Sequence, residues 1–149
     1  MSDPNRDDVV HALERLLASS YTLYLKSHND HWNVTGPMFT TLHTLFEQEY
    51  AELALAVDEI AERIRALGHP APATYAAFAE LSAVKEAPGV PSAVAMLEDL
   101  VGDQNTVAAV AREVREAAGR AGDDASEDLA VGRIQVHEKN AWMLRSHLE

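Results

Sequence analysis

Residues 31–62 gather the side chains best suited to holding a metal ion. His31-Trp32-Asn33-Val34-Thr35-Gly36-Pro37 leads into a long helical pattern carrying His43, Glu47, Asp58 and Glu62. Imidazole and carboxylate together suit divalent iron, zinc or manganese. If one helix runs from about Phe39 to Leu67, each residue turns it by about 100° and lengthens it by about 1.5 Å. With His43 set at 0°, Glu47 falls near 40°, Asp58 near 60° and Glu62 near 100°, roughly one face. Along the axis, His43 and Asp58 stand about 22 Å apart. Ligand bonds are only about 2 Å long, so one ion cannot bridge that gap. The helix carries either two incomplete half-sites or the halves of a site that a second copy completes.

A second copy fits. Antiparallel self-pairing about a point near Glu52–Leu53 sets His43 and Glu47 of one copy beside Asp58 and Glu62 of the other. That operation is a two-fold axis, the commonest symmetry of soluble homo-oligomers, and it makes two equivalent sites. Leu42, Phe46, Leu53, Val57, Ile60 and Ile64 fall between roughly 260° and 320°, an intramolecular core stripe. Glu49, Glu52 and Glu59 are expected on the far side, as a solvated face.

The elements that must position these residues are helices. All six prolines (Pro4, Pro37, Pro70, Pro72, Pro88 and Pro91) are expected between helical segments. They divide the chain into helices near 7–34, 39–67, 92–118 and 124–147, with a shorter piece near 74–83. The first helix aligns Val10, Leu13, Leu17, Tyr21, Tyr24, His28 and His31. The last aligns Ala130, Ile134, His137, Ala141, Leu144 and Leu148. No alternating strand pattern, internal repeat or low-complexity tail is visible. The expected fold is all-α: a ferritin-like four-helix bundle, with a short extra helix in the long connection between the second and third helices. Residues 1–149 are expected to form a single domain.

The histidines differ in setting. His31 ends the first helix just before Gly36-Pro37 turns the chain towards His43, so both reach the same end of the bundle. His28, one turn earlier, suits a supporting or interfacial place. His137 reads as a hydrogen-bonded core residue, and His11, His69 and His147 as surface residues.

Composition narrows the function classes. The chain has 149 residues, 47% of them hydrophobic and 24% charged, as in an ordinary globular protein. Zero cysteines exclude disulfides, thiolate metal sites and cysteine nucleophiles. With no signal-peptide pattern and no long apolar run, the expected location is cytoplasmic, away from membranes. A net charge of −12 opposes a nucleic-acid surface and favours cations.

The chain resembles the Dps family of ferritin-like mini-ferritins. The likeness is carried by His31-Trp32-Asn33-Val34-Thr35-Gly36-Pro37-Met38-Phe39, by His43 and Glu47, and by Asp58-Glu59-Ile60-Ala61-Glu62-Arg63. It continues in His137-Glu138-Lys139-Asn140-Ala141-Trp142-Met143-Leu144-Arg145, so it covers nearly the whole chain. The resemblance implies a twelve-subunit hollow shell that oxidises ferrous iron, preferably with hydrogen peroxide rather than O2, and stores ferric mineral. It implies a ferroxidase centre at a two-fold interface, with His31, His43 and Glu47 from one subunit and Asp58 and Glu62 from its mate. Glu47 stands where the family often has aspartate, which keeps the ligand type but lengthens the side chain. The Glu-x-x-His motif of larger di-iron bundles is missing from the chain, which argues against ordinary ferritin or rubrerythrin.

Trp32, beside His31, reads as a packing residue or as an electron donor near the centre. Acidic residues near the last helix line access pores in the family, which assigns Asp123, Asp124 and Asp128 an iron-guiding role. The competing reading is that these carboxylates, with Glu127, cap the helix and complement its dipole. The segment Met1-Ser2-Asp3-Pro4-Asn5-Arg6-Asp7-Asp8 has no lysine, the chain ends soon after its last helix, and only Lys26, Lys85 and Lys139 occur in all. DNA binding is therefore expected to be weak or absent. The alternatives are a non-enzymatic shell that buffers Zn2+ or Mn2+, or one that compacts DNA. A cytokine-like signalling bundle ranks last, because it leaves the ordered His and acid positions unexplained.

Overall fold

The computed structural model describes residues 3–149. Helix α1 spans Pro4–Asn33, α2 Phe39–Ala66, α3 Tyr75–Leu81, α4 Ala93–Ala121 and α5 Asp124–Arg145, and a 3-10 turn follows at Ser146–Leu148. The expected all-α architecture is present, with the short helix inside the long connection.

Local chemistry sets the helix ends. Helix α1 begins three residues earlier than the proline spacing suggested, and Pro4 is its first residue rather than a spacer. Proline lacks an N–H that the first turn would leave unbonded, and Asp3 caps the Asn5 N–H at 3.0 Å. Ser92 caps α4 through the Ala95 N–H, and Thr74 caps α3 through the Ala77 N–H. Helix α4 continues past Gly119 to Ala121, where Gly122 at φ 68° supplies the left-handed stop.

Ion pairs show which way each helix runs. Arg15 pairs with Glu113 and Lys26 with Asp99 and Asp103, so α1 and α4 are antiparallel. Glu52 pairs with Arg133 and Arg63 with Asp123, so α2 and α5 are antiparallel too. The connection from α2 to α4 must therefore run the length of the bundle. Lys26 holds it in passing by donating to the Lys85 carbonyl at 2.7 Å. Leu13, Leu16, Phe46, Leu53, Ile60 and Leu100 are fully buried between the four long helices.

One expectation on α2 is overturned. Glu49 is buried, only 3% exposed, rather than solvated with Glu59. At about 240° it lies only about 20° outside the core stripe, so the bundle closes over it. Burial pushes its carboxyl up to about 8. Glu52 is not free either, since it grips the Arg133 guanidinium with both oxygens.

The last helix carries a polar network into the core. His137 is fully buried, with Nδ1 donating to Gln104 Oε1 at 2.6 Å and Nε2 accepting from Arg133 at 3.1 Å. It is the hydrogen-bonded core residue expected.

Candidate metal centre

The turn at residues 34–38 brings the first three candidate ligands together. The Val34 N–H closes α1 onto the Asp30 carbonyl, Gly36 takes φ 103°, and the Phe39 N–H bonds to the Gly36 carbonyl. A left-handed glycine reverses the chain here without Cβ strain. The reversal sets the ends of α1 and α2 face to face.

His31 and His43 stack with ring centroids 3.7 Å apart and planes inclined by 12°. His31 Nδ1 lies 2.6 Å from the His43 carbonyl oxygen, and His43 Nδ1 lies 2.7 Å from that of His31. A carbonyl oxygen only accepts, so each Nδ1 carries the proton. In the neutral ring, that leaves the lone pair on Nε2, the form a metal-binding histidine needs. Phe39 stacks on His43 at 5.0 Å, and Tyr50 meets His31 edge-on at 5.3 Å. Glu47, exposed, follows His43 by one helical turn.

Asp58 and Glu62 form a second group, one turn apart on the exposed face of α2. The hydrogen bond that protonated Glu62 donates to Asp58, and then the negative charge of Asp58, raise the Glu62 carboxyl. Among the described residues, no cation pairs with either carboxylate. Between the groups, on the same face, Leu55 is 70% exposed. A groove of about 480 Å³ opens beside Asp58, walled by Ala54, Val57, Ala61, Pro72 and Tyr75.

Within one subunit the five residues do not meet. Among the described residues, no three His, Asp or Glu side chains stand close enough to hold a metal ion. The structure joins His31 to His43 and leaves Asp58 with Glu62 farther along α2.

The acidic residues at the start of α5 divide. Asp123 caps the helix, accepting from Ser126 N–H at 3.1 Å and from Ser126 Oγ, and it also accepts from Arg63 at 3.0 Å. Burial opposes these partners, yet Ser126 and Arg63 together hold its carboxyl below the ordinary value. Asp124 and Asp128 are exposed.

Tyr50, which was not anticipated among the site residues, carries a signal in its spacing. It follows His43 by seven residues and falls at about −20°, beside the ligand stripe. His28 packs on it at 3.9 Å and stacks on Trp32 at 5.0 Å.

Helices of this length and order, with a crossover along the bundle, define a ferritin-like protein. Residues 10–149 match the ferritin-like domain family. The chain is 39% identical over 140 residues to DNA protection during starvation protein 2 of Bacillus anthracis, covering 94% of this chain and 96% of that one. It superposes on the Dps protein of Bacillus brevis with a TM-score of 0.96, 38% identity and full coverage of both chains. A Dps protein of Vibrio cholerae O1, described as belonging to a broad superfamily of ferritin-like diiron-carboxylate proteins, gives a TM-score of 0.93 at 29% identity, over 98% of this chain and 92% of that one. The chain belongs to the Dps family of ferritin-like proteins.

Proposed function

We propose that this chain is the subunit of a mini-ferritin that oxidises ferrous iron, preferably with hydrogen peroxide, and stores the ferric product inside a hollow dodecamer. The observation that carries this reading is the division of ligands on α2. One end presents two imidazoles whose Nδ1 atoms are held by backbone carbonyls, one turn from Glu47, and the other presents Asp58 and Glu62 with no cation paired to them among the described residues. Antiparallel pairing of two copies about the middle of α2 unites the halves twice. The exposed Leu55 lies where such a pairing buries it. The diiron-carboxylate superfamily to which the Vibrio cholerae relative is assigned agrees with an iron-handling role.

In this reading iron is substrate and cargo. His31 and His43 supply neutral nitrogen, and the three carboxylates supply hard anionic oxygen that favours the higher charge of the ferric product. Two ferrous ions give one electron each to one peroxide, which takes up two protons and leaves as two waters. No hydroxyl radical escapes when both electrons arrive together. Asp124 and Asp128, exposed and acidic, would draw ferrous ions inward.

DNA binding is proposed to be weak or absent. With a net charge of −12 and three lysines, the chain has little to neutralise phosphates. Retardation of DNA in a gel shift at modest salt and neutral pH would refute this part.

Complementation tests the shared centre. His43→Ala and Asp58→Asn subunits, each assembled alone, should oxidise iron no faster than buffer. Unfolded together and refolded as a mixture, random two-fold pairing restores about a quarter of the wild-type sites, because each mixed dimer keeps one intact centre. A mixture as inactive as its parents would show that the ligands act within one subunit or not at all. Metal binding without peroxide-dependent turnover would leave a buffering shell for Zn2+ or Mn2+.

A further inference from the structure

His11 and His69 take no part in the proposed iron centre, yet both stand at the end of the bundle opposite His31 and His43. His69 follows Gly68, whose φ of 93° ends α2 in the left-handed region. The Gly68 N–H bonds to the Arg65 carbonyl at 2.9 Å, and the His69 N–H to that of Ile64 at 3.3 Å. In this doubled closure the residue after the glycine is fixed as firmly as the glycine itself. Arg65 also donates to the His69 carbonyl at 3.2 Å. With its backbone held on both sides, His69 lays its ring against the first turns of α1. Its Nε2 lies 3.9 Å from Asp7 Oδ1.

A surface pair of this kind contributes little to stability by itself. Its spacing suits a bridging ion better. Zinc bonds of about 2.0–2.1 Å at tetrahedral angles set two donor atoms about 3.3 Å apart. The observed gap is wider by roughly half an ångström, which small rotations of two exposed side chains close. His11 stands one turn beyond Asp7 on the same face of α1, and both are exposed. Among the described residues no third His, Asp or Glu meets the pair as it stands, and a change of rotamer brings the His11 ring to it. Val9 and Val10, buried between them in the chain, fix this turn of α1 against the core. Asp3, Asp7 and Asp8 outnumber Arg6 here, which concentrates cations.

We propose that Asp7, His11 and His69 form a second metal site, taking Zn2+ or a similar borderline divalent ion with water in the fourth place. Two imidazoles and one carboxylate beside an open position are a zinc donor set, whereas magnesium and calcium take oxygen. None of these ligands is shared with the proposed iron centre. Asp7 and His31 lie near opposite ends of α1, about 36 Å apart along its axis. The ion ties the start of α1 to the end of α2, and the site stands whether or not the chain oxidises iron.

The test uses the assembled protein carrying His43→Ala and Asp58→Asn, which silence the ligands on α2. It is titrated at neutral pH with cobalt chloride, because four-coordinate Co2+ reports itself by strong visible absorption. The expected result is one Co2+ per subunit, displaced by zinc chloride. Adding His69→Ala or His11→Ala should weaken that binding about tenfold or more. If the silenced subunit does not assemble, the wild-type shell should bind one more Co2+ per subunit than His69→Ala does. Absence of saturable Co2+ binding, or undiminished binding after either histidine is removed, overturns the site. With the ligands on α2 intact, His69→Ala should oxidise ferrous iron with peroxide at the wild-type rate. A slower rate would assign His69 to the iron reaction and overturn the separate site, whereas an inactive wild type removes the iron reading alone.

Discussion

His31 and His43 hold each other through their backbones: each Nδ1 donates to the other's carbonyl oxygen, at 2.6 and 2.7 Å, while the rings stack at 3.7 Å. The arrangement closes the α1–α2 turn and fixes the tautomer of both rings in one step. Orientation is thus set before any metal arrives, so less ordering remains to oppose binding.

His43→Ala should therefore act twice. Loss of its hydrogen bonds and stacking should lower stability by about 1–2 kcal/mol. Anaerobic calorimetry with ferrous sulfate should show affinity weakened about tenfold or more, equivalent to about 1.4 kcal/mol. Wild-type affinity in this variant would remove His43 from the site.

Acid should destabilise the bundle through His137. Burial, with the charge of Arg133 adding, lowers its pKa from 6.5 to about 3. Between those values the unfolded chain takes up a proton that the folded chain refuses. The stability contributed by neutral His137 is present above about 6.5 and is lost as the pH falls towards 3. The slope approaches about 1.4 kcal/mol per pH unit. Urea unfolding at several pH values should show a flatter dependence for His137→Gln, and an equal slope would mean that the imidazole protonates in place.

Lys26 lies 7% exposed between Asp103 at 2.6 Å and Asp99 at 2.9 Å. Lys26→Met should cost about 3–5 kcal/mol, because it leaves a buried carboxylate without its cation. Burial already pushes Asp103 up to about 6 with Lys26 in place. Adding Asp103→Asn should recover part of the loss, and additive losses in the double variant would show that the two are not coupled. Hydrogen exchange near Lys85 should also quicken, since Lys26 bonds to its carbonyl.

At the start of α5, capping and iron guidance predict different variants. Asp123→Ala should cost about 1 kcal/mol in thermal unfolding, whereas Asp123→Asn keeps the cap and should cost less. If ferrous ions pass this surface, Asp128→Asn should slow iron uptake while oxidation at saturating iron stays unchanged. Equal uptake by Asp128→Asn and wild type would remove Asp128 from the path of the iron.

Much of the bundle was written locally. Apolar residues at helical spacing, the prolines after Pro4 and the Gly36-Pro37 turn determine five helices and their order without reference to distant contacts. The same periodicity set His43, Glu47, Asp58 and Glu62 on one face of α2 and made plain that a single ion could not join them. Other features needed the neighbours of each helix. Glu49 and Glu59 are both acids outside the core stripe, yet only packing decides that one is buried and the other exposed. Asp123 looks like its acidic neighbours until Arg63 arrives from 60 residues away. The Nδ1 bonds of His31 and His43 depend on how tightly the turn closes, which residue spacing does not specify. Helical periodicity is a property of one element, so the sequence alone determined which residues share a face. What each face meets depends on the docking of separate elements, and only the tertiary structure decided burial, tautomer and the rings packed beside His31.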